Sequence, residues 1–184
     1  LTGGIARPNL FEVVLAFPDG VVDESVSDID PKTRFLVKAA ALPASNIAPI
    51  SVPFRGRQLK IAGDRTFDEW TITVINDTDF AIRGSFERWM NSMSKVSDNA
   101  GNINPEDYTK DAVVYQLGRS AVDAQSQTSD QNMPVLRTYK FYSVFPTNVS
   151  QIDLSYDSSD AVEEFTVTLQ VQWWEAAGQG GAVG

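Results

Sequence analysis

The sequence contains no cysteine and no histidine. Their absence removes disulfides, thiolate nucleophiles, Cys/His zinc sites, Ser-His-Asp triads and the side chain that most often carries protons near neutral pH. Positive charge is also short: 15 Lys and Arg stand against 24 Asp and Glu, a net charge of −9. That balance argues against a protein that grips nucleic acid phosphates with its overall charge. No apolar run approaches the roughly 20 residues that span a bilayer. The opening Leu1-Thr2-Gly3-Gly4 has no basic segment ahead of a hydrophobic stretch, so neither membrane insertion nor export is expected. What the chain does have is material for a core: 42% of its 184 residues are hydrophobic and 21% charged, the composition of one folded domain.

Alternation with period two dominates the pattern. Phe165, Val167, Leu169, Val171 and Trp173 alternate with Thr166, Thr168, Gln170, Gln172 and Trp174, which predicts a strand with one apolar and one mostly polar face. Similar runs at Asn9 to Phe17, Thr33 to Ala41, Leu59 to Ala62, Trp70 to Ile75, Ala112 to Leu117 and Arg137 to Phe145 bring the expectation to seven or eight strands. One segment departs from it. Ile82, Phe86, Trp89 and Met93 step by four, three and four residues, which predicts a helix over roughly 78–95 behind an Asp77 or Thr78 cap. Strands around a single helix, without βαβ alternation, point to a mainly β, antiparallel sandwich or barrel that the helix flanks. Pro18 to Lys32, Ser97 to Asp107 and Val122 to Pro134 read as loops. Residues 1–175 are expected to form the single domain and 176–184 a flexible glycine-rich tail.

Few residues suggest chemistry. Asp19, Asp23, Glu24, Asp28 and Asp30 crowd one loop, but their spacing fails the two-residue rhythm and closing Glu of a calcium loop, so a solvated loop is expected. Carboxylate pairs such as Asp153 with Asp157, or Glu163 with Glu164, keep an acid-pair glycosidase as a remote alternative. Gly178-x-Gly180 follows a strand without the helix and basic residue that a phosphate-cradling loop needs. Asn76-Asp77-Thr78 and Asn148-Val149-Ser150 match the glycosylation pattern only as accidents of composition. The reading is therefore of a protein that is not an enzyme, with no catalytic, metal-binding or cofactor-binding residue.

Charge is distributed unevenly. Arg55, Arg57, Lys60 and Arg65 stand against Asp64 alone, whereas Asp153, Asp157, Asp160, Glu163, Glu164 and Glu175 come after Lys140 with no base among them. No aromatic interleaves those bases between Phe54 and Phe67 to offer a base-stacking platform. Self-association, basic element on acidic surface, is favoured.

The stretch Gly56-Arg57-Gln58-Leu59-Lys60-Ile61-Ala62-Gly63-Asp64-Arg65-Thr66-Phe67-Asp68-Glu69-Trp70-Thr71-Ile72-Thr73-Val74 resembles the tail tube proteins of contractile-tailed (myovirus-type) bacteriophages. Arg7-Pro8-Asn9-Leu10-Phe11 looks like that family's opening strand and Ala41-Leu42-Pro43-Ala44 like the turn after its second. Phe145-Pro146-Thr147-Asn148-Val149 looks like the turn before the last strands, and the closing strand to Trp174-Glu175 is similar as well. The likeness runs from about Arg7 to Glu175; the acidic loop and the glycine-rich tail depart from it.

The resemblance implies a structural virion protein, made in the host cytoplasm, whose copies form hexameric rings that stack into the tail tube, with strands of all six subunits joining one inner β-barrel. Tail sheath, baseplate and tail terminator proteins are the implied partners, and DNA passes through the lumen without specific binding. Proline at 43, 49 and 53, glycine at 56 and 63, and the local bases predict a hairpin-like arm over about 47–64 that contacts a neighbouring subunit, with Arg55, Arg57, Lys60, Gly63, Asp64 and Arg65 as its contact residues. Thr166, Thr168, Gln170 and Gln172 are the expected lumen-facing set. The near alternative is the tube of a phage-derived injection machine or type VI secretion system. The remote one is a glycan-binding β-sandwich or the glycosidase above, and either would be a stable monomer.

Overall fold

Long β7, Val135–Val149, organises the molecule by serving two sheets at once. The computed structural model describes residues 6–22, 29–98, 100–119, 133–157 and 160–178. In chain order the elements are β1 (Phe11–Leu15), α1 (Ile29–Leu36), β2 (Val37–Ala41), β3 (Ser45–Phe54), β4 (Arg57–Phe67), β5 (Trp70–Ile75), α2 (Ala81–Met93), α3 (Pro105–Tyr108), β6 (Lys110–Leu117), β7, β8 (Glu164–Gln170) and β9 (Trp173–Gly178). All pairings are antiparallel, in the order β1-β6-β7-β8-β5-β2, with β9 beside β7 and a separate two-stranded β3-β4 unit. The chain is mainly β, as its period-two patterning predicts.

The first half of β7 lies between β6 and β9, and its second half lies against β8. The turn from one sheet to the other is made at Ser143, a non-glycine residue with φ +50° whose N–H donates to Asp111 Oδ1 at 3.1 Å. There the β6–β7 register slips between Lys110 and Ala112, as expected of a bulge that bends its strand at a sheet corner. The strand predicted over Phe165 to Trp174 breaks opposite this corner. Gln170 pairs Phe145 and Trp173 pairs Tyr142, so β8 and β9 track β7 in one register and are parted only by the bend at Val171 and Gln172.

Other elements differ from the sequence-based expectation for identifiable reasons. The last four residues of the region read as an acidic loop, 29–32, with the start of the strand predicted at Thr33, belong to α1, which packs on β1 and buries Thr33. Pro31 sits in its first turn, where a missing N–H costs no helical bond. Neither Asp77 nor Thr78 caps α2. The N-cap position is Phe80 at φ +52°, and the Asp79 carboxylate accepts the Ala81 N–H at 3.1 Å. Phe145 to Val149 is strand, not turn, and Ala176 to Gly178 of the expected tail pair with Tyr139 to Arg137 because β9 continues the β8 register. The rest of that tail, the segment 23–28 with Asp23, Glu24 and Asp28, and most of the predicted loop 122–134 lie outside the described residues.

The core lies where the sheets and α2 meet. Trp70 stacks on Phe141 with ring centroids 4.5 Å apart and planes 6° apart. Ile82, Phe86 and Trp89 of α2 are buried and Met93 packs partly against them, the face predicted from their spacing. Phe17 meets Phe86 and Trp89 edge-on at 5.3 and 5.6 Å. The Trp89 indole N–H donates to the Tyr108 carbonyl at 2.7 Å, tying α2 to α3. Lys32 clamps α1 to the turn before α2 through Asp79 and through Asp77 at 3.2 Å. The hydrogen bond to Asp79 leads in holding the Lys32 ammonium above its ordinary pKa, and the same bond leads in holding the Asp79 carboxyl below its own.

Candidate assembly surfaces

The β7-β8-β5-β2 sheet is open at both sides. β2 has a strand partner only in β5, and the stretch Phe145 to Val149 of β7 only in β8, among the described residues. An unpaired row of N–H and C=O groups is a template for another chain. The four strands alternate in direction, so β7 of one copy set beside β2 of the next continues the same antiparallel order. Pro146, which cannot donate, sits in this edge stretch, where proline is tolerated.

The two faces of that sheet divide by parity. Trp70, Ile72, Val74, Phe165, Val167 and Leu169 face the core and are buried. The opposite face carries Thr71 and Thr73 of β5 beside Thr168 and Thr166 of β8, with Gln170 at one end and Ala39 and Ala41 on β2. This field is polar without charge. At the far end Lys38 Nζ pairs Glu164 Oε1 at 2.6 Å. Of the expected lumen set, Thr166, Thr168 and Gln170 share this wall. Gln172 stands apart in the bend beyond β8, its N–H donating to the Tyr142 carbonyl at 3.3 Å.

The second surface is the β3–β4 hairpin, which the sequence predicts as an arm. Its tip is the two-residue turn Arg55-Gly56, with φ +46° and +80°, the type I′ geometry whose twist suits a hairpin. Both strands are edges, which is why Pro49 and Pro53 are accommodated in β3. The register slips between Ile47 and Pro49 opposite Gly63. A Cβ on Gly63 would stand 2.5 Å from the Ala48 carbonyl oxygen, so the bulge closes only around glycine. At the root Phe67 meets Trp174 edge-on at 6.1 Å, and Arg65, Phe67, Arg137, Trp174 and Glu175 border an open cleft of about 280 Å³.

The predicted contact residues are distributed over this arm. Arg55 lies at the tip with its guanidinium 5.5 Å from the Phe54 ring centroid. Arg57 opposes Phe54, Lys60 opposes Ser51, and Arg65 opposes Ile47. Asp64 is exposed beside Gly63 at the bulge. The emphasis on charge misses the arm's apolar face. Ile50 pairs Ile61 and Val52 pairs Leu59, with Phe54 at the end of the row; these side chains are 40% to 63% exposed. The Ile-Ser-Val-Pro-Phe alternation over 50–54 carried that signal, hidden behind two prolines.

These features permit edge pairing, enclosure of a polar uncharged wall, and docking of an apolar and basic arm. Among the described residues no group of three or more acidic side chains is placed to hold a metal ion, and no helix is long and apolar enough to cross a membrane.

A family model described as phage tail tube protein matches residues 6–177. The chain is 34% identical to the tail tube protein gp19 of Enterobacteria phage T4 over 174 residues, covering 95% of this chain and 93% of that one. It is 27% identical to the tail tube protein of Serratia phage KSP90 over 168 residues, covering 91% and 86%. In fold it is similar to a chain of the PVC sheath–tube complex of an extracellular contractile injection system, with TM-score 0.63 at 13% identity over 95% of this chain and 93% of that one. A chain of the anti-feeding prophage cap gives TM-score 0.63 at 14% identity, covering 96% and 93%.

Proposed function

The chain belongs to the phage tail tube protein family, and on that footing we propose that it is a structural virion protein whose copies close into hexameric rings, stacked as the tail tube through which the genome leaves. The carrying observation is the four-stranded sheet with a free strand on each side and an uncharged polar face. Six copies joined β7 to β2 make a barrel of 24 strands in unbroken antiparallel order. At about 4.8 Å per strand its perimeter is at least about 115 Å and its diameter across the backbones about 37 Å. Closure removes both free edges of this sheet, which turns an aggregation hazard into assembly.

The wall is then mainly threonine, glutamine and alanine, with the Lys38–Glu164 pair at its far end. The lysine at that end, Lys38, is held by Glu164, so the wall offers DNA little to hold it, and the chain's net charge of −9 adds weak repulsion. The arm, outside the barrel, contacts the adjacent ring through Arg55, Arg57, Lys60 and Arg65. Tail sheath, baseplate and terminator proteins are the partners, and the phage tail the location. This is supported by the fold's occurrence in a sheath–tube complex, a sheath/tube terminator and a baseplate. A second reading, the tube of a protein-injecting machine, is supported by those same fold likenesses. The 34% identity to a phage T4 protein against 13% and 14% to the injection-system chains favours the phage tail.

Mass measurement and negative-stain microscopy of the purified protein, from dilute to concentrated, test the proposal. Six-fold rings or tubes are expected. A persistent 20.2 kDa monomer that added tube or baseplate seeds do not recruit refutes it and returns the sugar-binding alternative.

A further inference from the structure

The arm and the β7–β8 connection leave opposite ends of the same sheet. β4 leads into β5 at Trp70, which faces Leu169 near the end of β8, whereas Ile75 at the other end of β5 faces Glu164, where β8 begins. Six residues of β5 put about 17–20 Å between the two ends. The ten residues of β3 carry the arm about 33 Å outward from its root.

Their chemistry is opposite in charge and alike in apolar exposure. The arm presents Ile50, Val52 and Phe54 with Arg57 and, against the Phe54 ring, Arg55, whereas Lys60 opposes Ser51 on its other face. The connection presents Leu154 at 83% and Tyr156 at 108% exposure, between Asp153 and Asp157. Of the cations at that end, Arg83 is engaged by Glu87, by the Ser150 carbonyl and by the face of Phe165, and Lys38 by Glu164. Leu154 and Tyr156 contribute nothing to the core. Another exposed apolar pair, Val96 and Ile103, lies in the connection that leads into α3, whose Tyr108 packs on Phe145 beside Gln170. It therefore lies toward the arm's own end of the sheet and is not the counterpart.

We propose that Leu154 and Tyr156, flanked by Asp153 and Asp157, form the surface on a second copy of this chain that receives the arm's Ile50-Val52-Phe54 face together with Arg55 and Arg57. The assignment rests on the tube reading and names the acceptor for its stacking contact. Two different surfaces at opposite ends make a head-to-tail contact that does not close on itself and so extends in one direction. The edges of β2 and β7 remain free for the lateral contact that closes the ring. Apolar burial supplies the attraction, and the charge pairs set the seating and reject an inverted copy.

Charge exchange in the full-length protein tests this. Arg55→Glu with Arg57→Glu, and separately Asp153→Lys with Asp157→Lys, should each leave folded single rings that do not stack. The chain carrying all four changes should stack again, as should a mixture of the two preformed double-variant rings. Because the chain has no cysteine, a second arm of the experiment is direct: Leu59→Cys, on the docking face opposite Val52, with Asp157→Cys, treated with a flexible bis-maleimide, should give a ladder of covalent multimers longer than a dimer. Normal stacking by the Asp153/Asp157 variant, no recovery in the fourfold variant, or tubes that yield no ladder would overturn the assignment while leaving the tube reading intact. If the unaltered protein forms neither rings nor tubes, the tube reading fails first.

Discussion

Gly63→Ala separates the stability of the body from that of the arm. The added methyl carbon would stand 2.5 Å from the Ala48 carbonyl oxygen and 3.2 Å from Ile50 Cγ1. The first contact is with backbone, so the β3–β4 bulge itself must open. Overpacking of this kind costs typically about 1–3 kcal/mol, and a two-stranded hairpin with no other support is marginal in water. The arm should therefore lose its pairing. The body should not notice, because no residue of β3 or β4 is buried. If the same loss were felt by the whole fold, the melting temperature would drop by roughly 2–12 °C at about 2–4 °C per kcal/mol. The expected drop is below about 1 °C. Hydrogen exchange should show amides of 45–67 at least about fivefold less protected while β5 and β8 are unchanged, and microscopy should show rings without long tubes. A fall of several degrees in the melting temperature, or full protection of the arm in the variant, would refute the reasoning.

Phe141→Ala removes a fully buried ring stacked on Trp70 and should cost about 3–5 kcal/mol, seen as a large loss in chemical or thermal denaturation; a loss under about 1 kcal/mol would mean that the two sheets do not meet there. The Lys32–Asp79 clamp should give a pH signature: the Asp79 carboxyl is held below its ordinary value of 3.8, so its contribution is full above about pH 3.8 and disappears as pH falls through the folded value. Lys32 is held above 10.5, so its contribution is full below that pH and is lost as pH rises through the folded value. The stability difference from Asp79→Ala should thus be flat between those limits and shrink outside them; a difference that grows with acid would contradict this. Thr168→Lys places six cations on each ring's wall, and assembled tubes of this variant should retain DNA at low salt where unaltered tubes do not, as measured by co-sedimentation; equal retention by both would show that the wall does not face the lumen.

The amino-acid sequence alone determined the features that local periodicity controls. The alternation of Phe165 to Leu169 fixes a strand with a threonine face, the four-three-four spacing from Ile82 to Met93 fixes which side of α2 is buried, and Arg55-Gly56 marks a turn. The missing Cys and His bound the chemistry before any fold is known. The arm was legible through its glycines and bases. Its apolar face was not, because Pro49 and Pro53 argue against a strand unless both strands of a pair are edges. Only the tertiary structure decided matters that depend on distant partners. Thr33 to Leu36 is helix because β1 offers it a surface to cover. The run predicted through Trp174 is cut at Val171 because β7 turns a corner at Ser143, 28 residues earlier in sequence yet opposite in space. Beyond that corner the end of β7, like β2 across the sheet, keeps an outer edge with no strand partner among the described residues. The sheet also places the basic arm and the acidic connection at opposite ends, because antiparallel pairing sets where each strand begins relative to a neighbour far away in the chain.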